Sequence, residues 1–215
     1  LRRFSGENKG IHVILEKNIP VGAGLGGGSS DAAAVLLGLK DFWNINIDDQ
    51  TLSTLALELG SDVPYFLHDK SAYATGRGEI LDYFDLNIPC WIIVVYPNIH
   101  VPTPWAYNNL RTKSKTIAAS GDNLKTVLLE NIQQPRRLTQ LLRNDFEPLV
   151  MQTHEPVMRL KQTLAALGAE FAQMSGSGSS VYGLFSDERL AHEALGELRK
   201  SFQVFLTPPH FHPGA

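Results

Sequence analysis

The chain has 215 residues, of which 43% are hydrophobic and 19% charged, a composition that can bury a sizeable core as one large or two small domains. The formal net charge of −3, with no apolar run near the roughly 18–20 residues of a membrane span, predicts neither nucleic-acid nor membrane partners. The single cysteine, Cys90, excludes an intramolecular disulfide framework and favours a reducing cytosol.

The first 43 residues predict a strand, a glycine loop and a helix. Residues 11–17 alternate apolar and polar side chains, which is typical of a half-buried strand. Five glycines follow within residues 22–28. Residues 29–31 (Ser-Ser-Asp) are good N-cap or first-turn residues for an apolar helix that runs to Trp43.

The next forty residues predict a second helix and a hairpin. Asp48 or Asp49 caps a helix that Gly60 ends, and Pro64 then breaks the helical pattern before a short strand. The segment 71–84 predicts a β-hairpin with its turn at residues 76–78.

Residues 87–89 predict a linker, so we expect one domain over residues 1–88 and another over residues 89–215. The second begins with a fully apolar strand at residues 91–97. The Lys, Ser and Thr content of residues 108–121 predicts a mobile loop.

The end of the chain has the clearest pattern. Two helical pieces are predicted at residues 122–130 and 135–144. From Glu155 onward the order is helix, strand, loop, strand, helix and strand. That order is the back half of a split βαβ unit, so the second domain is predicted to be a ferredoxin-like layer.

The glycine loop allows several interpretations. A flexible turn needs no ordered strand before the glycines and no helix directly after them. A dinucleotide-binding turn requires a strand and an acidic residue about twenty residues later, whereas a second helix is predicted here. A Walker A loop requires a terminal Gly-Lys-Ser/Thr, and residues 28–30 are Gly-Ser-Ser.

A phosphate-binding loop of another class agrees better with the residues. Consecutive glycines let backbone N–H groups converge on an anion, and a helix beginning near Ser29 adds its positive N-terminal end. The hydroxyls of Ser29 and Ser30 can bind a phosphate or a Mg²⁺ ion. The sequence therefore predicts a phosphate site here.

Three motifs, in order, resemble the GHMP kinases. PVGAGLGGGSSDAA (residues 20–33) is similar to their phosphate-binding signature. LGSDVPYFL (59–67) is similar to the segment that holds their catalytic aspartate, and MSGSGSSVYGLF (174–185) to their second glycine loop. With VPTPWAY (101–107) and NDFEP, these motifs most resemble the kinases of 4-diphosphocytidyl-2-C-methyl-D-erythritol.

The resemblance implies a two-domain α+β fold, with an N-terminal ribosomal-protein-like α/β domain and a C-terminal ferredoxin-like domain. In that family a strand with a Pro-Ala-Lys-type motif precedes the glycine loop, and its lysine lies beside the catalytic aspartate. No such motif stands before residue 22 here, so the N-terminal domain is expected to be incomplete in this sequence.

The resemblance also assigns site residues. Asp62 takes the position of the catalytic aspartate and contacts the substrate, and most of its neighbours in the sequence are apolar. Residues assigned to ATP and its phosphates are Lys17, Pro20, Val21, Gly22, Ala23, Gly24, Leu25, Gly26, Gly27, Gly28, Ser29, Ser30, Gly176, Ser177 and Gly178. Tyr107 takes the position of an aromatic residue that packs on the substrate's cytosine. No metal ligand is assigned.

Structural alternatives stand beside these assignments. Asp62 could cap a turn, Lys17 could be a solvated lysine at a strand end, and Tyr107 could be a core residue. Gly176 and Gly178 could form a tight hairpin. For the carboxylates of NDFEP at 145–147, a helix cap and a solvated charge are expected rather than a catalytic pair.

The function implied by the resemblance is Mg²⁺-assisted transfer of the γ-phosphoryl group of ATP to the 2-hydroxyl of 4-diphosphocytidyl-2-C-methyl-D-erythritol. This step belongs to non-mevalonate isoprenoid biosynthesis, in a bacterial cytosol or a plastid, by a monomer or weak homodimer. The alternatives are another small-alcohol kinase, of the homoserine or mevalonate type, or a catalytically silent nucleotide-binding homologue if the lysine strand is truly absent.

Overall fold

The computed structural model describes residues 1–6, 10–113 and 124–211. Over these residues the chain forms, in order, α1 (Arg2–Ser5), α2 (Gly27–Phe42), α3 (Asp49–Leu59), a short 3-10 helix (Pro64–Leu67), β1 (Ser71–Thr75), β2 (Ile80–Phe84), β3 (Trp91–Tyr96), α4 (Thr103–Lys113), α5 (Leu124–Asn131), α6 (Pro135–Leu141), α7 (Glu147–Thr153), α8 (Glu155–Ala166), β4 (Phe171–Met174), β5 (Val181–Phe185), α9 (Glu188–Leu198) and β6 (Gln203–Thr207). None of the helices in this described part combines the length and apolar character that crossing a membrane requires.

The chain folds as two units. The described residues of Leu1–Ile19 and Gly26–Leu86 form the first unit, and those of Pro20–Leu25 and Asn87–His212 form the second. The boundary at residue 86 lies next to the linker predicted at residues 87–89. A single cut in the sequence does not separate the two units, because residues 20–25 group with the later part of the chain.

The first unit packs α2 and α3 around a small apolar core. Its buried members are Ala33, Leu36, Leu52, Ala56 and Val63. The predicted cap of α3 is confirmed, because the Asp48 carboxylate accepts the Thr51 N–H at 2.7 Å. Hydrogen bonds from the side chain and the backbone N–H of Thr51 lower the pKa of Asp48. The predicted hairpin is also confirmed, since β1 and β2 pair antiparallel.

Two predictions in the first unit differ from the structure, one in the N-cap of a helix and one in the type of an element. Helix α2 begins at Gly27, so Ser29 and Ser30 lie in its first turn, as one of the two predicted placements has it, and its N-cap is Gly26, whose φ of 65° places it in the left-handed region. No side chain caps this helix end. The residues after Val63 form a 3-10 helix rather than a strand, because Pro64 occupies its first turn, where a missing N–H costs no hydrogen bond.

The strand predicted at residues 11–17 is also wrong. The two sheets of the described residues contain β1 to β6 only, so this segment joins neither. A β-strand requires a neighbouring strand that accepts and donates its backbone hydrogen bonds. An alternating pattern of side chains does not by itself provide that neighbour. The segment is exposed, with Ile14 at 85% of its full exposure.

The second unit is built on a four-stranded antiparallel sheet in the order β4-β5-β3-β6. Helices α8 and α9 pack against it over a core that includes Ile93, Leu164, Phe185 and Ala194. This arrangement confirms the ferredoxin-like prediction. Cys90 is buried.

Two helices of the second unit were not predicted. Residues 108–113 belong to α4 rather than to a mobile loop, and the rest of that predicted loop lies outside the described residues. Helix α7 begins at Glu147, with a proline in its first turn. The prolines of this region lie at helix starts. A proline in the sequence is equally compatible with a helix start and with a loop, so these helices were not recognised.

A buried tyrosine on β5 is expected to make the free energy of unfolding depend on pH in the alkaline range. The Tyr182 hydroxyl donates to Gln173 Oε1 at 3.2 Å, and burial, followed by the charge of Glu147, raises its pKa to about 12. The unfolded chain ionises this phenol near pH 10, so the unfolded state gains stability between pH 10 and 12. We expect the free energy of unfolding to fall over that range by up to about 2–3 kcal/mol more than in Tyr182→Phe. Urea titrations at stepped pH measure this, and parallel curves for the two proteins would contradict it.

Candidate functional site: two glycine loops and an exposed aspartate

Residues 20–28 form the first glycine loop and residues 175–180 the second. Within the second unit, the Ser175 hydroxyl donates to the Gly24 carbonyl at 2.7 Å, and the Ser180 N–H donates to the Ala23 carbonyl at 3.0 Å. The Val101 N–H donates to the carbonyl of Gly22 at 3.4 Å. The early part of the first loop therefore packs directly on the second, backbone against backbone.

This approach requires glycine at two positions. Gly24 has a φ of 74°, and a Cβ there would overlap the Ser175 carbonyl oxygen. Gly22 has a φ of 67°, and a Cβ there would overlap the imidazole of His100. The His100 ring is held in place, since its Nδ1 lies 3.2 Å from the Val21 carbonyl oxygen.

Hydroxyl groups fasten the second glycine loop to the segment before α4. The Ser179 hydroxyl donates to the Ile99 carbonyl, and Thr103 Oγ1 lies 3.3 Å from Ser177 Oγ. Ser177 was assigned to ATP, and its hydroxyl is buried against Thr103. Its backbone N–H is thus the better candidate for contact with a ligand.

The residues before and within α7 hold the same loop from another direction. Asn144 Nδ2 donates to the carbonyls of Met174 and Gly176, both at 2.8 Å. Glu147 accepts the Met174 N–H at 2.7 Å and pairs with Lys161 at 2.7 Å. The expectation that Glu147 is a solvated charge is therefore wrong, since its side chain is only 13% exposed.

In the first unit, the start of α2 presents the N–H groups that no helical carbonyl accepts. Gly28 is exposed, and a Cβ on it would have nothing within 4 Å. The ammonium of Lys17 would lie 3.0 Å from a Cβ on Gly27, and it forms an ion pair with Asp31 at 2.5 Å. The positive end of the helix dipole and the Lys17 ammonium carry charge of the same sign. Together they favour the binding of an anion at this helix end.

Asp62 lies in the first unit between α3 and the 3-10 helix. Its side chain is exposed, so its apolar sequence neighbours do not enclose it. The Ser61 hydroxyl donates to Asp62 Oδ1 at 3.4 Å, and the hairpin turn comes close enough that a Cβ on Gly78 would lie 3.6 Å from that oxygen. The ring of Phe66, four residues later, packs on Gly26 at the start of α2.

Tyr107 lies on α4 in the second unit and is 48% exposed. Its ring meets the Phe146 ring edge-on, with centroids 4.9 Å apart and planes at 71°. It is therefore not a buried core residue, and the part of the ring that is exposed can contact a ligand.

Oxygen atoms suited to Mg²⁺ stand at the start of α2. The described residues contain no group of three or more His, Cys, Asp or Glu side chains that could hold a metal ion. The hydroxyls of Ser29 and Ser30 and the carboxylate of Asp31 are hard oxygen donors in the first turns of the helix. Mg²⁺ commonly binds through one or two protein oxygens together with phosphate oxygens and waters, so the residues present fit such an ion.

Comparison with known proteins identifies the family. The profile of the GHMP kinases N terminal domain matches residues 1–70, and that of the GHMP kinases C terminal matches residues 127–204. The 4-diphosphocytidyl-2-C-methyl-D-erythritol kinase of Chlorobium phaeobacteroides (strain BS1) is 41% identical over 213 residues, 98% of this chain and 73% of the relative. That of Geobacter sp. (strain M21) is 40% identical over 201 residues, 94% of this chain and 69% of the relative.

The chain belongs to the 4-diphosphocytidyl-2-C-methyl-D-erythritol kinase family of GHMP kinases. A crystal structure of 4-(cytidine 5'-diphospho)-2C-methyl-D-erythritol kinase aligns with a TM-score of 0.79 at 34% identity, covering 95% of this chain and 73% of the other. Homoserine kinase from Cytophaga hutchinsonii aligns with a TM-score of 0.71 at 18% identity, covering 90% and 69%, and shares the fold. GHMP kinases are ATP-dependent small-molecule kinases that use Mg²⁺.

Sequence reasoning missed the residues that support the kinase family's glycine loops here. His100, Thr103, Asn144 and Glu147 all contact one of the two loops or the residue before it, across separations in the chain of 27 positions (Glu147 to Met174) to 78 positions (Gly22 to His100). An available signal was Asn144 itself, because an asparagine just before a helix start, here three residues ahead of Glu147, commonly binds local backbone. Its Oδ1 does accept the Phe146 N–H at 2.9 Å.

Proposed function

We propose that the chain transfers the γ-phosphoryl group of ATP to the 2-hydroxyl of 4-diphosphocytidyl-2-C-methyl-D-erythritol, giving the 2-phosphate and ADP. The observation that carries the proposal is the backbone packing of Gly24 on the second glycine loop, within a chain about 41% identical to these kinases. Phosphoryl transfer depends mainly on positioning and on neutralising charge, which backbone N–H groups and cations supply.

The start of α2 is proposed to bind the ATP phosphates. The first-turn N–H groups at Gly27, Gly28 and Ser29 and the positive helix end suit an anion. Lys17 adds a positive charge beside them, and Asp31 holds its ammonium there. The second glycine loop, through Gly176, Ser177 and Gly178, is proposed to contact the nucleotide as well.

Mg²⁺ is proposed to bind at the hydroxyls of Ser29 and Ser30 and at Asp31, where it would neutralise charge on the phosphates. These residues bring hard oxygen atoms to the same helix end as the proposed phosphate site. Asp31 already pairs with Lys17, so a bound ion would share that carboxylate.

Asp62 is proposed to accept the proton of the attacking hydroxyl. Its exposed carboxylate is accessible to a substrate, and the Ser61 hydroxyl hydrogen-bonds one of its oxygens. Tyr107 is proposed to pack on the cytosine ring of the substrate, as its half-exposed ring allows.

A coupled assay of ADP release tests the proposed reaction. The protein is given Mg·ATP with the cytidyl substrate, with homoserine or with mevalonate, each in separate reactions. We expect turnover with the cytidyl substrate and at least about a hundredfold lower kcat/KM with the other two alcohols, because neither carries a base for Tyr107 to stack on. No turnover of the cytidyl substrate would overturn the proposed function, and turnover of homoserine or mevalonate instead would reassign the substrate.

A further inference from the structure

The side chain of Asn144 has a fixed orientation. Its Oδ1 accepts the Phe146 N–H at 2.9 Å, so the amide nitrogen is the atom that faces the second glycine loop. Both amide hydrogens are used there, on the carbonyls of Met174 and Gly176 at 2.8 Å each. Asn144 thus joins the residue before the loop to a residue inside it.

Covalent geometry transmits this orientation to the next N–H group. The C=O and N–H of a trans peptide point in opposite directions. Because Asn144 holds the carbonyl of Gly176, the N–H of Ser177 in the same peptide points away from Asn144. Gly176 itself has a φ of 52°, a conformation that other residues adopt at a cost, and the hydrogen bond from Asn144 stabilises it.

Glu147 fixes the base of the loop in a complementary way. Its Oε1 accepts the Met174 N–H and its Oε2 binds the ammonium of Lys161, each at 2.7 Å. Met174 is therefore held through its N–H by Glu147 and through its C=O by Asn144. The loop begins from a residue whose backbone cannot rotate without breaking one of these bonds.

We propose that Asn144 is a positioning residue for nucleotide binding: it sets the Gly176–Ser177 peptide so that the Ser177 N–H is presented to a phosphate oxygen of the nucleotide. This inference rests on the proposed function, since it assumes that the second glycine loop contacts the nucleotide. Asn144 itself touches no ligand in this role. Its effect is on an N–H donor, which binds a charged phosphate more strongly than a neutral acceptor.

The test uses two substitutions and one matched control. Asn144→Ala removes all three side-chain hydrogen bonds, two donated to the loop and one accepted from the Phe146 N–H. Asn144→Asp keeps the shape but turns a carboxylate oxygen toward two carbonyls. Asn131→Ala is the control, because Asn131 also donates to a backbone carbonyl, Val127, but does so within α5. Affinity for Mg·ADP is measured by titration calorimetry, folding by near-UV circular dichroism, and KM by ADP release.

We expect Asn144→Ala to weaken Mg·ADP binding by about tenfold and Asn144→Asp by more, with the KM for ATP rising in parallel. The KM for the alcohol substrate should change less than about twofold, a separation that general loss of structure does not produce. In the unsubstituted protein, the amide proton resonance of Ser177 should move downfield on adding Mg·ADP, and this shift should be lost in both variants.

Three outcomes would overturn the inference. Mg·ADP affinity in folded Asn144→Ala equal to that of the unsubstituted protein would show that the peptide needs no support. An unmoved Ser177 resonance would show that its N–H does not meet the nucleotide. Equal weakening in Asn131→Ala would make the effect non-specific. Mg·ADP binding does not require the alcohol, so this test stands even where the cytidyl substrate is not turned over.

Discussion

Replacement of Asp62 by asparagine is expected to lower kcat by about 10²–10⁴-fold, the usual contribution of a general base. The carboxamide has nearly the same shape but cannot accept the proton of the attacking hydroxyl. Because Asp62 is exposed and bound only weakly by Ser61, the change should leave folding and Mg·ADP affinity nearly unchanged. ADP release at saturating Mg·ATP and alcohol measures kcat directly.

Asp69→Asn is the matched control for that experiment. Asp69 is also an exposed aspartate of the first unit, seven positions later in the chain, and has no role in the proposed mechanism. It should retain full turnover. Near-full turnover by Asp62→Asn would remove the proposed role of that residue, and an equal loss in Asp69→Asn would point to a general effect of charge.

Replacement of Gly24 by alanine is expected to destabilise the second unit by about 2–4 kcal/mol. The methyl group would overlap the Ser175 carbonyl oxygen and approach the backbone of Gly178, and φ at this position is 74°. Backbone atoms cannot move aside as a flexible side chain can, so the two loops must separate. We expect a lower midpoint in urea and loss of Mg·ADP binding together.

Gly196→Ala provides the opposite result from the same chemical change. Gly196 lies in α9 of the same unit, and a Cβ there would have nothing within 4 Å. Alanine should stabilise this helix by about 0.5–1 kcal/mol. A Gly24→Ala protein as stable as Gly196→Ala would show that the loops do not need their close backbone approach.

The ferredoxin-like half of the fold was predictable because its signals are local and strong. Helix α9 has Asp187 at its N-cap, with the carboxylate accepting the Leu190 N–H, and α8 has Pro156 in its first turn. The strands between them are apolar runs bounded by turn residues. Pattern and propensity agree throughout this region, and there the structure follows the sequence closely.

The errors arose where structure depends on a distant partner. The segment 11–17 has the alternation of a strand, but its placement depends on hydrogen bonds that no local pattern encodes. The 3-10 helix after Asp62 packs against α2 and α3, and the turn signal at Pro64 does not encode those contacts.

In the candidate site, too, residues with a local sequence signal were predictable and residues that act from a distance were not. Glycines and serines of the two loops were predictable, because a backbone that must approach another group needs residues without a Cβ. Asn144 and Glu147 were not, because each acts on the loop from about thirty positions earlier in the chain. Motif reasoning locates the residues that meet a ligand more readily than those that orient them.

The placement of residues 20–25 has a consequence for exchanging parts between relatives. Within the described residues, the chain passes from one unit to the other after Ile19, Leu25 and Leu86. A chimera made with a single crossover at residue 87 would join the Gly22–Leu25 segment of one parent to the second glycine loop of the other. Ala23, only 1% exposed, would then face a foreign surface. Functional hybrids should therefore inherit residues 20–25 together with the C-terminal half.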